Sequence, residues 1–199
     1  MKSIIPISAG SLFFALLLTI AGCSGQGDQQ TAGQNGSFYD LVGYFESEME
    51  RLNREQPDLT KTVEFDGRQE RKQYDSLDFE RELRVFANAN INRAALRDKY
   101  VVDSLFNTGT AGDTYLEKIT YEAKEEKVKT KLIEIDFLPT GQIKRVYIES
   151  YSNSLAAELR QELTYQPRSG YSIYSYQDIA LSEDKMLKVD VRFEEDRQG

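Results

Sequence analysis

The chain has 199 residues, 33 acidic and 25 basic side chains, one cysteine, no histidine and no tryptophan. The missing histidine excludes Ser-His-Asp and Cys-His nucleophiles, an imidazole base and zinc sites of the usual His/Cys kind, and a single cysteine can form neither an internal disulfide nor a CxxC pair. A formal charge of -8, with no arginine-rich block, points away from nucleic acid as a partner.

Lys2 precedes an apolar run over residues 12–20 (Leu-Phe-Phe-Ala-Leu-Leu-Leu-Thr-Ile), the length of a signal-peptide core. A membrane span needs about 20 apolar residues, so this run is too short for one. It ends in Ile20-Ala21-Gly22-Cys23, which resembles the lipobox of bacterial lipoproteins, with isoleucine where leucine is usual. The resemblance implies cleavage between Gly22 and Cys23, a thioether-linked diacylglycerol on Cys23 and an acyl chain on its new amino group. Each buried methylene contributes ~0.8 kcal/mol, and stable anchoring needs at least two such chains. Ser24 stands where aspartate would signal inner-membrane retention, so the expected address is the outer membrane, facing the periplasm or the surface.

Residues 1–22 are thus expected to be the signal peptide and 23–36 a lipid-anchored tether. From Ser24 the tether carries one charge and no large apolar side chain, too little to offset its ordering entropy. A flexible segment of this length spans roughly 20 Å. Residues 37–199 are long enough for a single domain.

Phe38, Leu41, Val42, Phe45, Met49 and Leu52 follow one helical stripe, with Ser37 as N-cap and Asp40 as the acid of a capping box. Asp66-Gly67 then separates two polar arms, 60–65 and 68–73, which predicts a hairpin at an exposed edge or on a protrusion. A second helix is expected over 76–89, with Phe79, Leu83 and Phe86 on one face, and a short helical turn over 93–97 capped by Asn92.

After Lys99 the period changes to two, and strands are predicted over 100–105, 114–124, 127–138, 142–152, 155–166, 171–181 and 186–194. Their short connections favour an antiparallel meander. In the third of these strands Val128, Thr130 and Leu132 point one way and Ile133, Ile135 and Phe137 the other, so the strand has a bulge or both its faces are covered. The expected fold is α+β: two N-terminal helices packed on a curved antiparallel meander of about six strands. Parts of 77–104 and of 163–173 (Leu-Thr-Tyr-Gln-Pro followed by Gly-Tyr-Ser-Ile) resemble uncharacterised envelope lipoproteins of Bacteroidota, a likeness that implies no activity.

Acidic pairs such as Glu125-Glu126 and Glu183-Asp184 fall at predicted turns, where carboxylates are solvated and not tuned for acid/base work. No calcium-loop spacing, phosphate-binding glycine loop or nucleophile elbow occurs, so no catalytic residue, metal or cofactor is expected and the protein is read as a non-enzyme. Lys127, Lys129 and Lys131 could meet anionic lipid or glycan, or simply form a solvated strand face.

Tyrosine is the better lead. If Val146 and Ile148, and Tyr171, Ile173, Ile179 and Leu181, face the core, Tyr147, Tyr151, Tyr174 and Tyr176 share the opposite face, which suits sugars or a protein partner, or else cross-strand packing or a second covered face. The expected function is a non-catalytic envelope binding or assembly module, held to the membrane by lipid on Cys23, with an envelope protein, glycan or lipid as partner. The alternative is a carrier or chaperone of an apolar ligand held between the curved sheet and the helices.

Overall fold

The structure, a computed structural model, describes residues 38–109 and 112–194. The signal peptide, Gly22, Cys23, the tether and Ser37 lie outside the described residues. Helix α1 (Leu41–Glu55) is followed by the hairpin β1 (Leu59–Phe65) and β2 (Arg68–Tyr74), helix α2 (Phe79–Ala87) and a 3-10 segment, Ala94–Lys99. Seven strands complete the order: β3 (Tyr100–Thr108), β4 (Thr114–Ala123), β5 (Thr130–Phe137), β6 (Ile143–Asn153), β7 (Ala157–Gln166), β8 (Gly170–Ile179) and β9 (Lys185–Phe193).

All nine strands join one curved, unclosed antiparallel sheet in the order β2-β1-β9-β8-β7-β6-β5-β4-β3. Two expectations are corrected. The sheet has nine strands and not about six, because β1 pairs with β9 from Leu59↔Phe193 to Phe65↔Leu187 and brings the hairpin into the sheet as its edge. The helices also do not both precede the strands, since the hairpin lies between them. Asp66 and Gly67 take the positive φ angles (48° and 78°) of a tight hairpin turn. Asp66 further accepts a hydrogen bond from the Met186 N–H at 2.9 Å, tying the turn to β9.

Helix α1 begins three residues later than the apolar stripe suggests. Asp40 is the N-cap, its Oδ1 accepting from the Gly43 N–H at 3.1 Å. Phe38 therefore lies ahead of the helix, its ring 5.9 Å from that of Tyr100 and 5.1 Å from that of Tyr121. Helix α2 is shorter than its expected span, capped by Asp78 through the Arg81 N–H. The 3-10 segment has Arg93 and not Asn92 at its cap position, with no side-chain cap bond.

Both helices lie on one face of the sheet. Leu41, Phe45, Met49 and Leu52 of α1 and Phe79, Leu83 and Phe86 of α2 share one core with Ile133, Ile135, Val146, Ile148, Leu163, Tyr165, Tyr171 and Val191 from the strands. The rings interlock: Phe45 lies 5.2 Å from Phe86 and 5.3 Å from Tyr165, and Phe86 lies 5.9 Å from Tyr165 and 6.1 Å from Tyr171. Aromatic side chains thus pack the centre of the interval between helices and sheet.

Pairing between β5 and β6 shifts between Thr130 and Leu132, which is the bulge alternative for that strand. One extra residue there lets Val128 and Thr130 be buried on the same side as Ile133 and Ile135. Beyond Ile148, Leu163 and Ile173 the core-side positions become Ser150, Gln161 and Ser175, which are only half-buried, so the strands outrun the helices that cover them.

Tyr165 and Tyr171 are direct register partners. The Tyr165 hydroxyl donates to Glu48 of α1 and the Tyr171 hydroxyl to Glu82 of α2, each at 2.5 Å. Arg51 holds Glu48 at 2.9 Å and Lys61 holds Glu82 at 2.7 Å. Burial pushes both phenols well above the ordinary tyrosine value, and the neighbouring carboxylates add to the shift.

Because these phenols keep their protons in the folded state at pH values where the unfolded chain has lost them, their contribution is fully present below about pH 10 and is lost above it. Thermal unfolding followed between pH 8 and 12 should give a flat melting temperature to about pH 10 and a fall beyond it; a flat profile throughout would contradict this reading of the buried tyrosines. Gly170, at φ 126°, leaves no room for a side chain, since a Cβ there would lie 1.9 Å from the Val191 carbonyl oxygen. Gly170→Ala should therefore cost more than about 2 kcal/mol in denaturant unfolding.

Candidate functional site

In an antiparallel sheet, register partners share a face and alternate residues change face. Val146, Tyr165, Tyr171 and Val191 are partners in one core row, which places Tyr147 and Tyr151 of β6 and Tyr174 and Tyr176 of β8 on the outer face. Among the described residues no helix crosses that face, and all four tyrosines are partly exposed.

The register divides the four. Tyr151, Arg160 and Tyr176 form one cross-strand row, and Tyr174 stands two residues from Tyr176 on the same strand. Neighbouring strands lie about 4.8 Å apart, so Tyr151 and Tyr176 flank Arg160 at about 10 Å from one another. Tyr147 is four residues along β6 from Tyr151, about 13 Å away. The structure thus brings three tyrosines into one patch and leaves Tyr147 outside it.

Cations organise the patch. The Arg160 guanidinium lies 5.5 Å from the Tyr151 ring centre and the Lys131 ammonium 5.6 Å from it, within cation–π range. Glu158 holds Arg160 at 2.8 Å, and the Tyr176 hydroxyl donates to Asp184 at 2.6 Å. That bond raises the Tyr176 phenol above its ordinary value. Tyr174 sits in register between Glu162 and Lys188. Among the described residues its hydroxyl has no hydrogen-bond partner, so it remains available to a ligand.

Tyr147 belongs to a different arrangement. Its hydroxyl donates to Glu149 at 2.7 Å and Arg145 lies over its ring at 5.6 Å. Burial first, then Glu149, hold its phenol above the ordinary range. Arg145 and Lys118 bridge Glu134 and Asp136 in a closed set of four contacts, 2.6 to 3.6 Å long. The two positive and two negative charges balance, which suits a strap across β4, β5 and β6 more than a binding surface.

Beyond the patch, the outer face of β9, β1 and β2 forms a shallow polar groove of about 240 Å³ lined by Thr62, Glu64, Arg71, Lys188 and Asp190. Lys188 belongs both to this groove and to the Tyr174 row, so aromatic patch and polar groove are continuous. A second groove of about 720 Å³ opens at the margin of the core, between α1 and the β5–β6 and β7–β8 turns, with Tyr39, Tyr44, Lys144 and Arg168 on its walls. The Tyr44 hydroxyl there is buried with no hydrogen-bond partner among the described residues.

Sequence reasoning missed Arg160 and Lys188, and singled out Lys131 only as part of a lysine stripe. Each reads locally as a solvated charge on an alternating strand, and only pairing order sets it beside a tyrosine. It also missed the marginal groove, whose walls come from three separated segments. Lys131, expected as part of a lysine stripe, is turned onto Tyr151 and donates to the Glu126 carbonyl, whereas Lys127 and Lys129 stay exposed.

The described residues contain no group of three or more metal-ligating side chains, and no helix among them is long and apolar enough to cross a membrane. The arrangement can stack planar or pyranose rings, donate hydrogen bonds from phenols and answer charges of either sign. No family model matches the chain, no curated protein is significantly similar to it in sequence, and no solved structure is significantly similar in fold.

The outer tyrosines and the core tyrosines should respond differently to loss of the hydroxyl. Tyr176→Phe should change unfolding free energy by no more than about 0.5 kcal/mol, the usual range for a surface position. Tyr165→Phe, which removes a buried hydrogen bond to the Glu48 carboxylate while Arg51 still holds that carboxylate, should cost about 1.5–3 kcal/mol in the same urea titration. Equal effects would remove the distinction between the two faces.

Proposed function

We propose that the chain is a non-catalytic, lipid-anchored protein of the cell envelope whose α+β domain, residues 37–199, works as a binding or assembly module at the outer membrane. Cys23 carries the lipid and the 23–36 segment supplies the reach. The observation that carries the reading is the outer face: a wide sheet surface, uncovered among the described residues, with Tyr151, Tyr174 and Tyr176 gathered around Arg160 and joined through Lys188 to a polar groove. Large amphipathic rings with few rotatable bonds, set among groups that can hydrogen-bond, are what partner-binding surfaces are enriched in. An envelope glycan or protein is the partner this chemistry fits.

Two kinds of variant test the proposal. Cys23→Ser should abolish acyl labelling and move the protein from the membrane to the soluble fraction. Tyr151→Ala, Tyr174→Ala and Tyr176→Ala together should reduce retention on envelope glycans or on a co-purifying envelope protein at least tenfold, with circular dichroism and melting unchanged. Retention equal to that of the parent chain would remove the tyrosine face from the proposal, and unaltered membrane association of Cys23→Ser would remove the anchor.

A further inference from the structure

The two edges of the sheet are built differently. At one end β2 reads Arg-Gln-Glu-Arg-Lys-Gln-Tyr, exposed along its first six residues, and such a charged edge resists pairing with another strand. At the other end β3 reads Tyr-Val-Val-Asp-Ser-Leu-Phe-Asn-Thr, with Asp103 as its sole charge. Val101, Val102, Leu105 and Phe106 on this strand are 52, 48, 53 and 60 % exposed. Nothing among the described residues pairs with its outer side. The edge is also regular: where β3 and β4 lose register, between Leu105 and Phe106, the unmatched residue is Glu117 of β4, so β3 itself is not kinked.

The backbone of β3 is poised for a further strand. The Lys124 N–H donates to the Lys99 carbonyl at 2.9 Å and the Gly109 N–H to the Asp113 carbonyl at 2.8 Å. Odd-numbered residues of β3 therefore bond inward to β4, and Val102, Ser104, Phe106 and Thr108 turn their backbone groups to the outer edge, where the Ser104 and Thr108 N–H groups donate to the Asp103 Oδ1 at 2.9 Å and the Asn107 Oδ1 at 2.8 Å, local bonds that a pairing strand replaces. A strand that supplies matching groups at every second residue completes the ladder.

We propose that the occupant of this edge is the β3 strand of a second copy of the chain, paired antiparallel about a two-fold axis at Ser104. Three observations select a copy of the same chain. Ser104 is the midpoint of Tyr100–Thr108, is small and uncharged, and faces outward with its carbonyl and with the N–H that Asp103 accepts in the single chain, so pairing about it overlaps all nine residues and exchanges that local bond for one to the second copy. That register sets Val102 against the second copy's Phe106, and the same contact recurs on the other side of the axis, as an isologous interface requires. It also sets Asp103 against Leu105 of the other copy, in line with the Lys118 that neighbours that leucine, whereas an axis moved to Asp103 would bring two carboxylates face to face. The charged β2 edge then ends the array, so pairing closes at a dimer with one continuous sheet and does not propagate. In this dimer the outer faces of both copies lie on the same side, which doubles the tyrosine surface presented to a partner.

Disulfide trapping in the full-length chain tests the register, with the parent chain and its lone Cys23 as control. Ser104→Cys should give a dimer under mild oxidation at micromolar concentration, as should a mixture of Val102→Cys and Phe106→Cys chains. Val102→Cys by itself should not, because its two copies stand about 14 Å apart along the strands. Ser104→Lys should weaken self-association in sedimentation at least tenfold without changing the melting temperature. The proposal is overturned if Ser104→Cys stays monomeric, if it cross-links only to a different protein, if Val102→Cys alone cross-links equally well, or if Ser104→Lys associates like the parent.

Discussion

The paired tyrosines at the centre of the sheet hold the helical layer in place. Tyr165 and Tyr171 face one another across β7 and β8, pack their rings on Phe86, and send their hydroxyls to one glutamate from each helix. A phenol bonded to a carboxylate in a half-dry setting is a strong, directional contact. Each glutamate is in turn neutralised by a cation, Arg51 from its own helix or Lys61 from β1. The helices are thereby fixed in position and orientation on the sheet, and α1 is further tied to the β7–β8 turn where Arg51 donates to the Pro167 carbonyl.

From that docking follows the asymmetry of the molecule. Two helices of 15 and 9 residues cover one face of a nine-stranded sheet, and the aromatic core they form fills the space beneath them. Among the described residues the opposite face is satisfied by its own side chains. It does so with alternating charges across β4, β5 and β6 and with cations over Tyr147 and Tyr151 of β6. The edges repeat the contrast. One is crowded with charge and the other is apolar, regular and, among the described residues, without a strand partner, and in a sheet that does not close on itself such an edge decides what the protein can join.

Much of this was legible locally. The stripe Leu41, Phe45, Met49 and Leu52 is buried as its period requires, Asp66-Gly67 makes its hairpin, and the alternation in β6, β7 and β8 puts the four chosen tyrosines on one face. Other features were not legible, for identifiable reasons. Phe38 fits the helical stripe but is claimed by the rings of Tyr100 and Tyr121, a contact between segments more than 60 residues apart. The hairpin's polar arms left a sheet edge and a protrusion equally open, because composition does not separate the two; pairing with β9 decides for the edge. Leu155 and Leu181 continue their strands' alternation in sequence, yet both lie exposed in turns where pairing has ended.

By itself the sequence determined the absence of histidine chemistry, the helix stripes, the hairpin turn and the alternation of each strand, because these depend on residue identity and on periods of 3.6 and 2 within a single segment. Its lone cysteine, with the residues before it, is also the whole basis for the proposed anchor. Tertiary structure alone decided that β1 pairs with β9, that Arg160 stands between Tyr151 and Tyr176 while Tyr147 stands apart, and that β3 is left as an open edge. These depend on pairing order and register between distant segments. A strand's own residues fix its two faces but do not say which strand lies beside it, or whether any does.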